Sequence, residues 1–282
     1  MRLEHTEIFE ASDPAVQRAG MLELRRVHEE VCYAADELDP GPPTSPGELA
    51  AWLTKAKRVF DRLGQWRDCV DDVAARREVK GATYFLTCIP TFGLVSLAFL
   101  THFHGLATPM GSSSSMCAPL RCEVGAARNM CVERALAMKP RPDFLFFIDD
   151  DVLLPWDALI RLHEHQLPIV AGMYFLKQSP SYPLLWRDDR IGYLRPGVDF
   201  KVGDLVKVAG TGCGVLLVRT SVFEKLEAPF FKTGPSKRDD GTIEHHTEDA
   251  FFFQKCAKAG IDVYVDSSVR CGHQDRTTGR VY

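Results

Sequence analysis

No Cys-x-x-Cys pair occurs among the nine cysteines, Cys32, Cys69, Cys88, Cys117, Cys122, Cys131, Cys213, Cys256 and Cys271. Their scatter and odd number exclude a zinc knuckle and a dithiol redox motif, and point to reduced thiols in a cytosolic protein, several of them core residues. Charge of one sign is not in excess either. Lys and Arg number 34 and Asp and Glu 38, a net charge of -4. There is thus no global attraction for polyanions, and nucleic acid would need a local basic patch. No Gly-x-Gly-x-x-Gly precedes a helix and no Gly-Lys-Ser/Thr is present, which excludes the dinucleotide-binding turn and the P-loop. The opening residues MRLEHTEIFEASD lack the apolar run of a signal peptide, so no secretory or transit signal is expected. Internal repeats are absent. With 45% hydrophobic and 26% charged residues, the 282-residue chain has the composition of an ordinary folded protein, not of a disordered or fibrous one.

Between Gly81 and Leu120 there is no Asp, Glu, Lys or Arg, and Tyr84 to Leu100 is rich in apolar residues. A hydropathy window would take this for a membrane span. Pro90 and Gly93 instead split it into a strand, Thr83 to Ile89, and a helix from Leu94 to about His102, the start of a buried βα unit with no membrane span.

The chain divides near residue 80. Before it lie 12 basic and 16 acidic residues, after it 22 of each, so the acidic excess sits wholly in the first part. Asp13-Pro14 opens an amphipathic helix to about Glu37. Ser45-Pro46-Gly47-Glu48 opens a second, Pro46 to about Leu63, and Gln65 to Val79 forms a third. Residues 1–80 therefore read as a helical N-terminal layer. From 81 to 282 short apolar strands alternate with helices: helix Gly125 to Met138, strand Phe144 to Ile148, helix Pro155 to His165, strand Ile169 to Gly172. Such alternation implies a mainly parallel sheet with right-handed crossovers. Pro183 to Trp186, Ile191 to Leu194, Leu205 to Val208 and Val215 to Arg219 suggest an antiparallel extension of it. Thr247 to Ala259 reads as a helix stopped by Gly260, and Val263 to Val265 as the last strand. Ser112 to Ser115 reads as a loop.

The most informative segment is the apolar strand that runs into Asp149-Asp150-Asp151. Carboxylates at a strand's C-terminal end face the crevice where α/β sheets bind ligands. Three adjacent acids repel one another, and a hard divalent cation with oxygen ligands is their natural counter-charge; strand alternation turns Asp149 and Asp151 to one side. The plainer alternative is a solvated acidic loop ahead of the helix at Pro155.

With these residues in order, the chain resembles the GT-A class of nucleotide-sugar glycosyltransferases. Asp149-Asp150-Asp151 looks like that class's D-x-D motif. Around it stand Ile89-Pro90-Thr91-Phe92-Gly93 after the first strand, Ala127-Arg128-Asn129 opening a helix, Gly210-Thr211-Gly212-Cys213-Gly214, Thr247-Glu248-Asp249 and Cys271-Gly272-His273. The resemblance spans about residues 82 to 276. It implies an α/β, GT-A-like domain with a mixed, mainly parallel sheet flanked by helices. It further implies a UDP-sugar donor with Mn2+ or Mg2+ held by Asp149, Asp151 and His273. Pro90, Thr91 and Phe92 would lie near the base, with Arg128 or Asn129 beside them. Asp150, Lys177 and Gly212 would contact the rest of the donor, Lys177 opposing the diphosphate. Asp249 would serve as base if the anomeric centre inverts, with Glu248 assisting by hydrogen bonds to acceptor or donor sugar; capping of the following helix is the alternative role for this pair.

Other constellations fit less well. His102/His104 and His163/His165 are i, i+2 pairs that do not share a helix face, and His245-His246 lacks a cysteine partner. Tyr174 and Trp186 offer flat faces for a sugar or base. The basic segment Arg270 to Arg280 reads either as a lid over the diphosphate or as a frayed terminus. A metal-dependent nucleotidyl or phosphoryl transfer enzyme is the alternative activity, though Pro90 to Gly93 lacks a basic loop; a carbohydrate-binding module is the non-catalytic one. The acceptor is open: a saccharide, or a hydroxymethylated base in DNA with Lys232, Lys237, Arg238, Arg270, Arg276 and Arg280 as the basic patch. The expected location is the cytoplasm, that of the host if the chain is viral.

Overall fold

A computed structural model describes residues 83–187, 192–237 and 243–282. The helices expected within residues 1–80 and the beginning of the strand expected at Ile191 lie outside them. In chain order the elements are β1 (Tyr84–Cys88), α1 (Leu97–His104), β2 (Ser113–Cys117), α2 (Val124–Ala137), β3 (Phe144–Ile148), β4 (Val152–Leu153) and α3 (Ala158–Glu164). There follow β5 (Ile169–Met173), β6 (Leu185–Trp186), β7 (Leu205–Val208), β8 (Gly210–Thr211), β9 (Val215–Arg219) and α4 (Thr220–Glu224). The chain ends with β10 (Gly234–Lys237), β11 (Ile243–His246), α5 (Glu248–Lys258), β12 (Val263–Arg270) and β13 (Gly272–His273).

Seven strands form the central sheet in the order β2-β1-β3-β9-β5-β12-β7. Pairs β2/β1, β1/β3 and β5/β12 are parallel, while β9 runs antiparallel to both β3 and β5, and β7 antiparallel to β12. Five strands thus share one direction, and the fold is the expected α/β class with a mixed, mainly parallel sheet. Both faces are covered. Alternate residues of β3 send Leu145 and Phe147 to one side and Phe144, Phe146 and Ile148 to the other, all five buried. The first side packs on Cys131, Val132 and Ala135 of α2, Val222 and Phe223 of α4, and Phe252, Phe253 and Cys256 of α5. The second packs on Ala98 and Phe99 of α1 and Ala158, Leu159 and Leu162 of α3. Burial on both faces is why β3, β5 and β9 read as continuous apolar runs.

The uncharged run resolves into β1 and α1. No helix among the described residues is long and apolar enough to cross a membrane. Ser96 caps α1, its hydroxyl accepting from Phe99 N, and Glu123 caps α2 by accepting from Ala126 N. Ser113 to Ser115, expected as loop, belong instead to β2, an edge strand held in register by β1. His245 and His246, expected in a polar loop, belong to β11, which pairs with β10. The last sheet strand runs on past Val265 through Asp266, Ser267 and Ser268. Residues 192–194 form no strand, only a bridge between Trp186 and Tyr193. Because β1, β3, β5 and β12 are parallel, their carboxyl ends lie along one edge of the sheet, and the acids after β3 sit in the middle of it.

Candidate functional site

Asp149 leaves β3 still tied to the sheet: its N–H donates to the Gly214 carbonyl at 3.0 Å, and its own carbonyl accepts from Val152 N. That turn presents three consecutive carboxylates, and the fold supplies a cation to each. Arg128 Nη2 holds Asp149 Oδ1 at 2.6 Å, Arg276 holds Asp150 Oδ1 at 2.5 Å, and Lys177 Nζ holds Asp151 Oδ2 at 2.5 Å. The repulsion that the sequence implies is therefore relieved within the chain, by residues drawn from α2, from the segment after β5 and from the segment after β13.

Arg128 is 1% exposed and spans two acids, its second guanidinium nitrogen pairing with Glu248 at the start of α5. Burial works against its charge, but Asp149 and Glu248 outweigh that and keep its pKa above the ordinary arginine value. Its Nε is buried without a hydrogen-bond partner among the described residues. Burial pushes the Asp149 and Glu248 carboxyls up, with Arg128 pulling only partly in the other direction. Asp249, beside Glu248, is pushed up chiefly by burial, although its Oδ1 accepts from the Thr247 hydroxyl and from Ala250 N.

Asp151 behaves differently. Burial would push it up, but His273 and Lys177 bring its carboxyl down to about 2. His273 reaches it because β13 pairs antiparallel with β4, His273 opposite Val152. Its Nδ1 lies 2.7 Å from the Phe175 carbonyl, which only accepts, so Nδ1 carries the proton and donates. The other nitrogen, Nε2, faces Asp151 Oδ1 at 3.6 Å, beyond hydrogen-bond length. The second ring nitrogen is thus aimed at a carboxylate oxygen without touching it. The Tyr174 ring packs edge-on against the imidazole at 5.1 Å between centroids.

The segment after β13 is folded rather than frayed. His273 and Tyr282 exchange backbone hydrogen bonds at 3.0 and 3.1 Å, Gln274 N donates to the Asp151 carbonyl at 2.8 Å, and Arg276 also donates to the Asp150 carbonyl at 2.6 Å. A hairpin thus lies against the acidic turn. Asp150 Oδ2 within it is buried without a hydrogen-bond partner among the described residues.

The glycine segment Gly210 to Gly214 does permit a close approach, but by the chain's own aromatics. A Cβ at Gly212 would run into Tyr174 Oη and the Leu184 side chain, and one at Gly210 into the Trp186 ring. Tyr174 is 4% exposed and its hydroxyl accepts from Gly214 N at 3.1 Å, so it clamps this wall from inside. Asn129 is likewise engaged internally: its Oδ1 accepts from Phe230 N and Phe231 N, and its Nδ2 donates to the Phe231 carbonyl at 2.7 Å. At the end of β1, Pro90 is buried, Thr91 bridges to Leu120, and Phe92 is 70% exposed.

The structure therefore gathers Arg128, Asp149, Asp150, Asp151, Lys177, Glu248 and His273 on one edge, with Asp249 next to Glu248. Arg276 and Tyr174 complete it. The sequence marked Arg276 only as part of a basic segment and Tyr174 only as an aromatic face, since nothing local to either residue names its partner. His165 and His102 have engagements of their own. His165 Nε2 pairs with Asp266 at 2.9 Å, and His102 Nδ1 lies 2.7 Å from the Leu154 carbonyl. Among the described residues no three His, Cys, Asp or Glu side chains converge as a ready-made metal ligand set.

No family model matches the chain, and no curated protein is found similar to it in sequence. Among solved structures, A197 from STIV is similar with a TM-score of 0.46 and 20% identity, covering 71% of this chain and 92% of that one. GalNAc-T7, solved with UDP, GalNAc and Mn2+, is similar with a TM-score of 0.46 and 11% identity, covering 68% of this chain and 44% of that one.

Proposed function

We propose that the chain is a glycosyltransferase moving a sugar from a nucleotide diphosphate sugar, a UDP-sugar first, to an acceptor hydroxyl, with Mn2+ or Mg2+ as its cofactor. The observation that carries this reading is the position of His273 Nε2, 3.6 Å from Asp151 Oδ1, with Nδ1 anchored on a backbone carbonyl. An imidazole whose far nitrogen is fixed by a hydrogen bond is oriented as metal-binding histidines are. Mixed nitrogen and oxygen donors suit Mn2+, which leaves further positions for phosphate oxygens. Asp151 and His273 would hold the cation. Asp149, paired with Arg128 through Oδ1, would stand beside these two and not complete a three-residue set. Bound there, the cation would supply Lewis-acid stabilisation of the departing diphosphate.

The chain's own groups do the rest. Lys177, on the rim of the same turn, is placed to meet diphosphate charge. The exposed Phe92, with Pro90 and Thr91 behind it, offers a face for the nucleotide base at the end of β1. Asp249, raised by burial, is suited to accept the proton of an acceptor hydroxyl in an inverting reaction. Arg128 fixes Glu248 beside it.

A donor screen with mass spectrometry of the released nucleotide tests the class and the donor together. Release of a nucleoside diphosphate that needs Mn2+ or Mg2+ is expected, with turnover reduced at least a hundredfold in Asp151→Asn and the fold retained. Release of pyrophosphate would instead support nucleotidyl transfer, and an Asp151→Asn enzyme with full turnover would remove the cation from that position.

A further inference from the structure

Each acid of the turn has its own cation, but the three cations are not held alike. Arg128 is buried and spans Asp149 and Glu248. Arg276 is anchored twice on Asp150, at the carboxylate and at the carbonyl. Lys177 holds Asp151 through a single ion pair at the end of a flexible stem. Among the described residues, the most loosely held counter-ion of the turn therefore sits on the carboxylate that faces His273 Nε2.

Resting on the cation reading above, we propose that Lys177 is an exchangeable counter-ion. It neutralises Asp151 while the site is empty, yields that carboxylate to the divalent cation, and passes its ammonium group to the diphosphate. Two positive groups sharing one carboxylate repel each other, so the cation binds weakly while Lys177 remains in place. A diphosphate offers the displaced ammonium an alternative anion, and the two ligands therefore bind cooperatively. The Asp151 carboxylate then has a positive partner in every state. Lys177 is then a positioning residue that makes the protein take its cation with the nucleotide rather than before it.

Calorimetric titration reads this without turnover. Wild type, Lys177→Gln, Lys177→Arg and Asp151→Asn are each titrated with MnCl2 alone, and then with MnCl2 in saturating UDP or GDP, with circular dichroism to check folding. In Lys177→Gln the affinity for Mn2+ alone should rise on the order of tenfold, because the competing charge is gone. The enhancement of Mn2+ affinity by the nucleotide, present in wild type, should shrink by a similar factor, and Lys177→Arg should restore it. Mn2+ binding to wild type that Asp151→Asn abolishes, with Lys177→Gln leaving both the Mn2+ affinity and its coupling to nucleotide unchanged, would overturn the exchange alone. Failure of both wild type and Lys177→Gln to bind Mn2+ would overturn the exchange together with the cation reading. Binding by Lys177→Gln but not by wild type would support both.

Discussion

Arg128 carries two carboxylates on one buried guanidinium, and the energetics of the site start there. Removing it leaves Asp149 and Glu248 facing each other across a poorly solvated gap. Arg128→Leu should lower the unfolding free energy by about 3–5 kcal/mol, read from denaturant midpoints. Arg128→Lys should recover little of that, since a single ammonium cannot fork between two acids. A leucine variant with the wild-type midpoint would show that the two pairs add nothing to the fold. Gly212 presents a second single-residue test. Its missing Cβ is the space in which Tyr174 Oη and Leu184 lie, so Gly212→Ala should cost about 1–3 kcal/mol by overpacking. In a Tyr174→Phe background, which removes the hydroxyl, the same alanine should cost measurably less, a coupling that a double-mutant cycle reads directly. Equal costs in both backgrounds would place the strain elsewhere.

At the level of elements, legibility followed burial. β3 and β9 have the limits read from their apolar runs, and α2 and α5 lie within a residue of theirs, because patterned burial leaves a trace in the sequence; β7 also has its expected limits although only Val208 in it is buried. β2 left none. Ser113-Ser114-Ser115-Met116-Cys117 is mostly exposed at the sheet's edge and is a strand only because β1 pairs with it. β12 continues through Asp266 and Ser267 because those polar side chains find partners: His165 and Ser268 for Asp266, and backbone groups of Lys201, Gly203 and Asp204 for Ser267. The site divides along the same line. The acids were legible at the end of β3, whereas their cations were not, since Arg128, Lys177 and Arg276 come from distant stretches that only the folded sheet edge unites. Asn129 shows how an element is held by one polar side chain. It clasps the backbone at Phe230 and Phe231 to α2, so Asn129→Ala should cost about 2–3 kcal/mol through two buried amides left unpaired. Asn129→Asp keeps the acceptor for both amides but turns an oxygen toward the Phe231 carbonyl, so it should recover only part of the loss in thermal unfolding. If both variants unfold like wild type, the clasp is not what holds this segment.

Across the whole molecule, buried carboxyls act on stability in opposite directions, and acid separates them. Asp266 lies in the body of the sheet; burial would raise its carboxyl, but hydrogen bonds from Ser268 and His165 hold it below the ordinary range. A depressed folded pKa contributes stability that is fully present above the unfolded value of about 3.9 and is lost as pH falls through the folded value. Asp249, at the ligand edge, is raised, chiefly by burial. Its unfolded form ionises first, so it costs stability above its folded pKa, and that cost disappears as pH falls below about 4. Asp266→Asn should therefore be less stable than wild type by about 1–3 kcal/mol at pH 7, with the gap closing below pH about 4. Asp249→Asn should be more stable by about 1 kcal/mol at pH 7, with its advantage vanishing over the acid range. Denaturant unfolding of the three proteins at pH steps from 7 to 3 measures both differences. A gain of stability at pH 7 only in Asp249→Asn would mark the ligand edge as the place where the fold gives up stability to keep a carboxylate charged. A loss in both would instead make Asp249 a structural acid, its hydrogen bonds from Thr247 and Ala250 outweighing its burial.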